Sequence, residues 1–147
     1  SLVYDKYKSA QDDFVKNVSL EELKSSCDVI SFHVPYKEET HHYCNAVFIS
    51  DCIKQPVIIN TSRGAVVNTT DIIDALENKK INGFCVDVYE DEPITKNKVH
   101  KLQVYQKLLS FENVIATPHI AGWTVESKYK LTKILMDKIE LLIEDYK

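Results

Sequence analysis

One pattern limits what this chain can fold into. Five short, largely apolar runs recur along it, each cut off by a polar residue or a proline, with amphipathic stretches between them. The runs are Leu2-Val3-Tyr4, Asp28 to Val34, Val57-Ile58-Ile59, Gly83 to Val88 and Asn113 to Thr117. They are too short for core helices and rich in β-branched residues, so they predict strands. Strands apolar almost throughout, rather than alternating, are buried on both sides. That is the signature of a parallel sheet with helices on both faces, an α/β fold.

The intervening stretches carry helix signals. Ser19-Leu20-Glu21-Glu22 reads as a capping box, with Glu22 three residues after Ser19. Asn45 is placed to cap a helix running through Cys52 and carrying Val47, Phe48 and Ile49. Thr70-Asp71 opens a helix with Ile72, Ile73, Ala75 and Leu76 on its inner face. A polar segment from Thr95 to Ser110 contains a helix around Leu102 to Leu109. From Thr124 a long amphipathic helix runs to about Asp145, with Leu131, Ile134, Leu135, Ile139, Leu142 and Ile143 on one stripe. Tyr36 to Tyr43 reads as a charged loop.

Composition narrows the function classes. The 147 residues amount to about one domain. A formal net charge of -4 gives no broad nucleic-acid footprint. No apolar run approaches the roughly 18 residues of a membrane span. Cys27, Cys44, Cys52 and Cys85 form no C-x-x-C pair, so a reduced, cytoplasmic setting is expected. His41-His42-x-Cys44 lacks a second ligand pair, and no metal site is expected there.

Polar residues fall in telling places. Asp5, His33, Arg63, Asp87 and His119 each lie at or just past the C-terminal end of a predicted strand. In a parallel sheet those ends share one edge, where ligands bind. Arg63 follows Ile58-Ile59-Asn60-Thr61-Ser62, and Gly64 behind it permits a positive φ or a close approach. A guanidinium there can grip a carboxylate through two parallel hydrogen bonds. The alternative is an arginine that caps the strand or pairs with an acid on the next helix, and this stretch alone leaves both open.

These residue types suit reduction of a carbonyl beside a carboxylate. A histidine such as His119 can exchange the proton, an acid from Asp91-Glu92 can orient it, and Arg63 can hold the carboxylate. An acid such as Asp5, at the end of the second strand of a dinucleotide fold, accepts hydrogen bonds from the adenosine ribose. Its charge repels a 2′-phosphate and favours NAD over NADP, a preference that Lys6 and Lys8 soften.

Four motifs in order then resemble the D-isomer-specific 2-hydroxyacid dehydrogenases. They are Asp28-Val29-Ile30-Ser31-Phe32-His33-Val34-Pro35, Ile59-Asn60-Thr61-Ser62-Arg63-Gly64, Gly83 to Pro93, and Thr117-Pro118-His119-Ile120-Ala121-Gly122-Trp123. The resemblance implies Arg63, Glu92 and His119 as catalytic residues, with Glu90 and Asp91 at the wrong offset. It implies Tyr4 and Asp5 at the adenosine ribose, and Val34, Pro35 and Thr40 around the adenosine half. Thr61 and Ser62 match the turn beside the nicotinamide, and Asp87 the carboxamide contact, with Ala121 and Gly122 beside it. The implied cofactor is NAD, the substrate a small D-2-hydroxy or 2-keto acid, and the full-length form a homodimer. The family also includes transcriptional corepressors, so a non-catalytic NAD-sensing protein on the same scaffold is the rival reading.

The chain departs from the family in its glycines. Gly64, Gly83 and Gly122 are the only three, and no G-x-G-x-x-G is present. The expected fold is therefore a partial Rossmann-type sheet that lacks the first strand and its glycine-rich turn. Residues 1–122 would form the partial NAD-binding domain. Residues 123–147 would form a helix leading toward a substrate domain not contained in this sequence. A chain so reduced is expected to be inactive alone. The segment Ile94 to Glu112 matches no motif and reads as a variable loop.

Overall fold

A computed structural model describes residues 1–8, 12–90, 92 and 99–145 of the chain. From the first helix onward, helices and strands alternate as the apolar rhythm predicts. They are β1 (Leu2–Val3), β2 (Lys16–Asn17), α1 (Leu20–Ser26), β3 (Val29–Phe32), α2 (Ala46–Ser50), β4 (Val57–Asn60), α3 (Thr69–Glu77), β5 (Gly83–Val86), α4 (Val99–Leu109), β6 (Val114–Ala116) and α5 (Val125–Asp145). Asp91 and the segment 93–98 lie outside the described residues.

Side chains start the helices by accepting backbone N–H groups that have no partner inside the helix. Ser19 accepts from Glu22, and Asn45 from Val47 and Phe48. The box at α1 is half formed, because the Glu22 carboxylate turns away to Lys16 at 2.9 Å. Helix α3 starts earlier than Thr70, since Asn68 supplies the cap to Thr70 and Asp71. Strand β2 has no counterpart in the sequence reading. It is two residues long, and only its neighbour defines it: Lys16 N–H donates to the Ser1 carbonyl and Val18 N–H to the Val3 carbonyl.

Every strand pairing is parallel, and the strands form two sheets. One holds β1 and β2, the other β3, β4, β5 and β6 in that order. The register of the larger sheet lines up Ile30, Ile58, Phe84 and Val114 in one row, and Phe32, Asn60, Val86 and Ala116 in the next row on the same face. Ile30, Ile58 and Phe84 are buried in the core with Phe48, Ile49, Ile72, Leu76 and Leu108. The opposite face carries Ser31, Ile59, Cys85 and Ile115, and Ile115 is 65% exposed. Within the described residues, then, the sheet is sealed on one face and partly open on the other.

Helix α5 forms as its periodicity predicts, yet Leu131, Ile134, Leu135, Ile139, Leu142 and Ile143 are all exposed. No helix among the described residues is long and apolar enough to cross a membrane. All four cysteines are free thiols, and burial pushes the Cys44 thiol well up.

Candidate functional site

Parallel pairing puts the C-terminal ends of β3 to β6 on one edge. His33 and Asp87 directly follow their strands, while Arg63 and His119 each stand three residues beyond theirs. Two clusters form there.

The first is built by backbone-holding side chains. Asn60, 1% exposed at the end of β4, accepts from the N–H and hydroxyl of Ser62 and donates to the Arg63 carbonyl. The turn 60–63 is thus fixed from inside, with Thr61 exposed at its tip. The Arg63 guanidinium reaches only the Ser62 carbonyl, at 2.6 Å, and makes no ion pair among the described residues. In the alternative reading of Arg63, pairing with an acid on the next helix has no counterpart among the described residues, while the bond to the Ser62 carbonyl is a local backbone contact of the capping kind.

Gly64 works through close approach rather than a positive φ, because no glycine here has one. A Cβ at Gly64 would collide with the backbone of Tyr89 and Glu90. Only glycine lets the arginine turn pack onto the chain leaving β5. From that contact the connection runs to the histidine. Tyr89 N–H donates to Glu92 Oε1 at 2.7 Å, and Glu92 Oε2 lies 2.5 Å from His119 Nδ1. Glu90 does something else: it accepts from the Thr69 N–H at the start of α3 and faces His42 at 3.3 Å. Asp91 lies outside the described residues.

His119 itself has φ 56, in the left-handed region that costs a non-glycine residue energy. Asp87 over-determines that conformation. It is 4% exposed, and it accepts from the Thr117 hydroxyl at 2.5 Å and from the N–H groups of Ile120 and Ala121 at 2.9 and 3.0 Å. Burial alone would raise its pKa. The Thr117, Ala121 and Ile120 hydrogen bonds, with His119 nearby, outweigh burial and hold the carboxyl below its ordinary value. Both Asp87 oxygens are therefore engaged with the 117–121 loop. Gly122 stands beside it in open space. Tyr89 adds a second tie, donating its hydroxyl to the Thr117 carbonyl at 3.0 Å. Asn60, Tyr89 and Thr117 were not singled out by sequence reasoning. A buried asparagine closing an apolar run was the available signal.

The second cluster surrounds a cavity of about 440 Å³ between β1 and β3. Tyr4, Asp5, Val34, Pro35 and Thr40 all line it. Asp5 Oδ1 accepts from the N–H groups of Tyr7 and Lys8, which lowers its pKa, and Oδ2 has no hydrogen bond among the described residues. Thr40 pins the 35–40 turn through the Pro35 carbonyl and the Lys37 N–H. Lys6 and Tyr7 both reach Glu39, at 3.1 and 2.6 Å, across the mouth. This donor set fits the adenosine end of a dinucleotide, with a free carboxylate oxygen for a ribose diol. It offers no glycine-rich turn for the phosphates.

The fold and the edge define a dinucleotide-binding α/β domain. The chain belongs to the D-isomer specific 2-hydroxyacid dehydrogenases: the model of that family's NAD binding domain matches residues 1–121. The chain is 34% identical to an erythronate-4-phosphate dehydrogenase of Bacteroides thetaiotaomicron, over 94% of this chain and 38% of that one. It is 36% identical to a D-lactate dehydrogenase of Treponema pallidum, over 82% of this chain and 38% of that one. A D-lactate dehydrogenase from Aquifex aeolicus, complexed with NAD and lactic acid, superimposes with TM-score 0.78 at 34% identity, covering 98% of this chain and 46% of that one. D-2-hydroxyisocaproate dehydrogenase gives TM-score 0.83 at 28% identity, with the same coverage. The chain thus spans less than half the length of these relatives.

Proposed function

We propose that the chain is the cofactor-side part of an NAD-dependent oxidoreductase acting on a small D-2-hydroxy acid or the matching 2-keto acid. The observation that carries this reading is the His119–Glu92 pair at 2.5 Å, on the sheet edge that also holds Arg63. An ionised carboxylate only accepts, so the His119 Nδ1 carries the hydrogen toward Glu92 and leaves Nε2 to exchange a proton with the substrate oxygen. Glu92 stabilises the protonated ring and fixes its plane. Arg63, with its guanidinium unpaired to any described acid, anchors the substrate carboxylate. NAD, when bound, gives or takes the hydride. Asp5 receives the adenosine ribose, and Tyr4, Val34, Pro35 and Thr40 wall the adenosine half. Thr61, Ser62, Asp87, Ala121 and Gly122 lie at the nicotinamide end, where Asp87 acts by holding the loop that carries His119.

In this reading residues 1–122 form the cofactor domain, and residues 123–147 form a helix directed to a substrate domain. The free thiols support a reducing, cytoplasmic setting, and the bare stripe of α5 supports a homodimer in a full-length form. The chain alone is expected to bind NAD weakly and turn over nothing, for lack of phosphate donors and of a closing domain. The rival reading, an NAD-sensing interaction protein, leaves the His119–Glu92 pair without a task.

The test is steady-state kinetics of a full-length enzyme carrying this chain, with NADH and a panel of 2-keto acids. Turnover that collapses on His119→Ala supports the reading. NAD binding with no turnover on any 2-keto acid favours the rival.

A further inference from the structure

We infer that Tyr89 is a positioning residue: from the exit of the middle strand it ties together the turns that carry Arg63 and His119, and its hydroxyl sets the orientation of the His119 ring. The inference deepens the proposed function and rests on it for its kinetic arm alone.

The argument starts in the strand register. Asn60, Val86 and Ala116 form one row across β4, β5 and β6, and they end those strands. Arg63, Tyr89 and His119 each stand three residues beyond that row. Tyr89 is thus the central member of the three, and it touches the turns on both sides. On the β4 side its backbone is the surface onto which Gly64 packs, directly behind Arg63. On the β6 side its hydroxyl donates to the Thr117 carbonyl at 3.0 Å. Its N–H donates to Glu92 Oε1 at 2.7 Å, which places the carboxylate that faces His119.

The Thr117 carbonyl is the point from which the histidine hangs. It also accepts the His119 N–H at 3.0 Å, closing a three-residue turn over Pro118. That turn leads into the left-handed His119, with φ 56, a conformation that persists where its surroundings over-determine it. Asp87 holds the loop by its N–H groups, and Tyr89 holds it by its carbonyl. The Tyr89 ring has a firm base, since it meets Tyr105 of α4 edge-on, with centroids 5.4 Å apart and planes at 87°. Tyr105 is buried in the core. Burial, with Asp87 and Glu92 nearby, raises the Tyr89 pKa, so the hydroxyl keeps its hydrogen and donates.

A bland reading makes this hydroxyl a satisfied polar group with no further task. The two readings part on one substitution. Tyr89→Phe keeps the ring, the N–H and the backbone under Gly64, and the Thr117 carbonyl keeps the His119 N–H. The fold and the Arg63 turn should therefore survive, and only the tilt of the His119 turn is released.

The experiment uses Tyr89→Phe in a full-length enzyme carrying this chain. With NADH and a 2-keto acid, kcat should fall about three- to tenfold, the scale of one neutral hydrogen bond. KM for the 2-keto acid and the urea midpoint should stay near wild type. In a His119→Ala background the same substitution should cost nothing further, because the residue it positions is gone. An unchanged kcat overturns the inference, as does an equal loss in both backgrounds, which a general structural effect would give. Nitrogen NMR of labelled histidines reads the ring without turnover. With the ring neutral, wild-type His119 should show the Nδ1–H tautomer, and Tyr89→Phe should shift it toward the mixture of a free imidazole. Unchanged shifts overturn the inference, and so does a wild-type ring without the Nδ1–H form. A protein with no turnover that still shows the tautomer shift would sink the catalytic reading and support the positioning role.

Discussion

Oε2 of Glu92 lies 2.5 Å from Nδ1 of His119, although 26 residues separate them in the chain and each stands on a different strand's exit. Under the proposed function, the pair leaves Nε2 to exchange the proton. In a full-length enzyme, His119→Ala should lower kcat by roughly a hundredfold or more, the usual scale of a general acid–base contribution. Glu92→Gln keeps a hydrogen-bonding group but removes the charge, so it should lower kcat less. Single-turnover kinetics with a 2-keto acid checks both. Wild-type chemistry in His119→Ala would remove the histidine from its role.

Asp87→Asn tests the loop that carries that histidine. The substitution weakens bonds to Thr117, Ile120 and Ala121 and leaves buried donors poorly matched, at a cost of about 1–3 kcal/mol in urea unfolding. The pH dependence has a defined sign. The folded-state pKa is depressed, so the Asp87 contribution is complete above the ordinary carboxylate value and is lost as pH falls through the folded value. Wild type should therefore lose stability below about pH 4, and Asp87→Asn should lose less over that window. Parallel pH–stability curves would exclude Asp87 as the clamp.

Gly64→Ala should be more disruptive than a surface glycine change, because its Cβ would meet the Tyr89–Glu90 backbone. Overpacking of this kind costs about 1–3 kcal/mol. Gly122→Ala is the control, since a Cβ there meets nothing within 4 Å. Equal urea midpoints for the two variants would refute the close-packing role.

The strand ends were legible because chemistry stands out against apolar runs: Arg63, Asp87 and His119 interrupt long stretches of Val, Ile and Ala. The helix caps were legible because Ser19 and Asn45 act on neighbours two or three residues away. Strand β2 was not, since Lys16–Asn17 owes its identity to Leu2–Val3 and not to its own pattern. Nor was the reason for Gly64, which lies in a backbone contact with Tyr89, 25 residues on. The engagement of Asp87 with its own loop was equally hidden, because Thr117, Ile120 and Ala121 meet it only through tertiary folding. Local signals were readable; of the long-range hydrogen bonds, the Glu92–His119 pair was anticipated through its chemistry and the family resemblance, and those of Asp87 were not.

Arg63→Lys separates charge from geometry. Among the described residues the guanidinium bonds only its neighbour's carbonyl, so thermal stability should hardly change. Turnover in a full-length enzyme should still fall, since an ammonium cannot make the two parallel bonds of the guanidinium fork. A large loss of melting temperature would mean that Arg63 is structural, and unchanged kcat/KM would mean that it does not hold substrate.

The last prediction concerns cofactor choice. Lys6 and Lys8 beside Asp5 read in sequence as softening the preference for NAD. In the fold, Lys6 is tied to Glu39 at 3.1 Å, and the Tyr7 hydroxyl reaches the same carboxylate at 2.6 Å. Under the proposed binding mode, with the ribose at Asp5, Glu39 engages the Lys6 charge that a 2′-phosphate would otherwise draw. The Tyr7 and Lys6 hydrogen bonds lower the Glu39 pKa, so the carboxylate stays ionised at neutral pH. Glu39→Gln should release Lys6 while leaving Asp5 with its turn intact. The expected gain in affinity for NADPH relative to NADH is about two- to fivefold, the scale of one exposed charge contact, and it should shrink with added salt. Fluorescence titration of both cofactors against wild type and Glu39→Gln, at low and at physiological ionic strength, measures that ratio. Glu39→Gln combined with Lys6→Ala should return it to the starting value. A ratio unchanged by Glu39→Gln, or changed equally with and without Lys6, would show that Asp5 alone sets the preference.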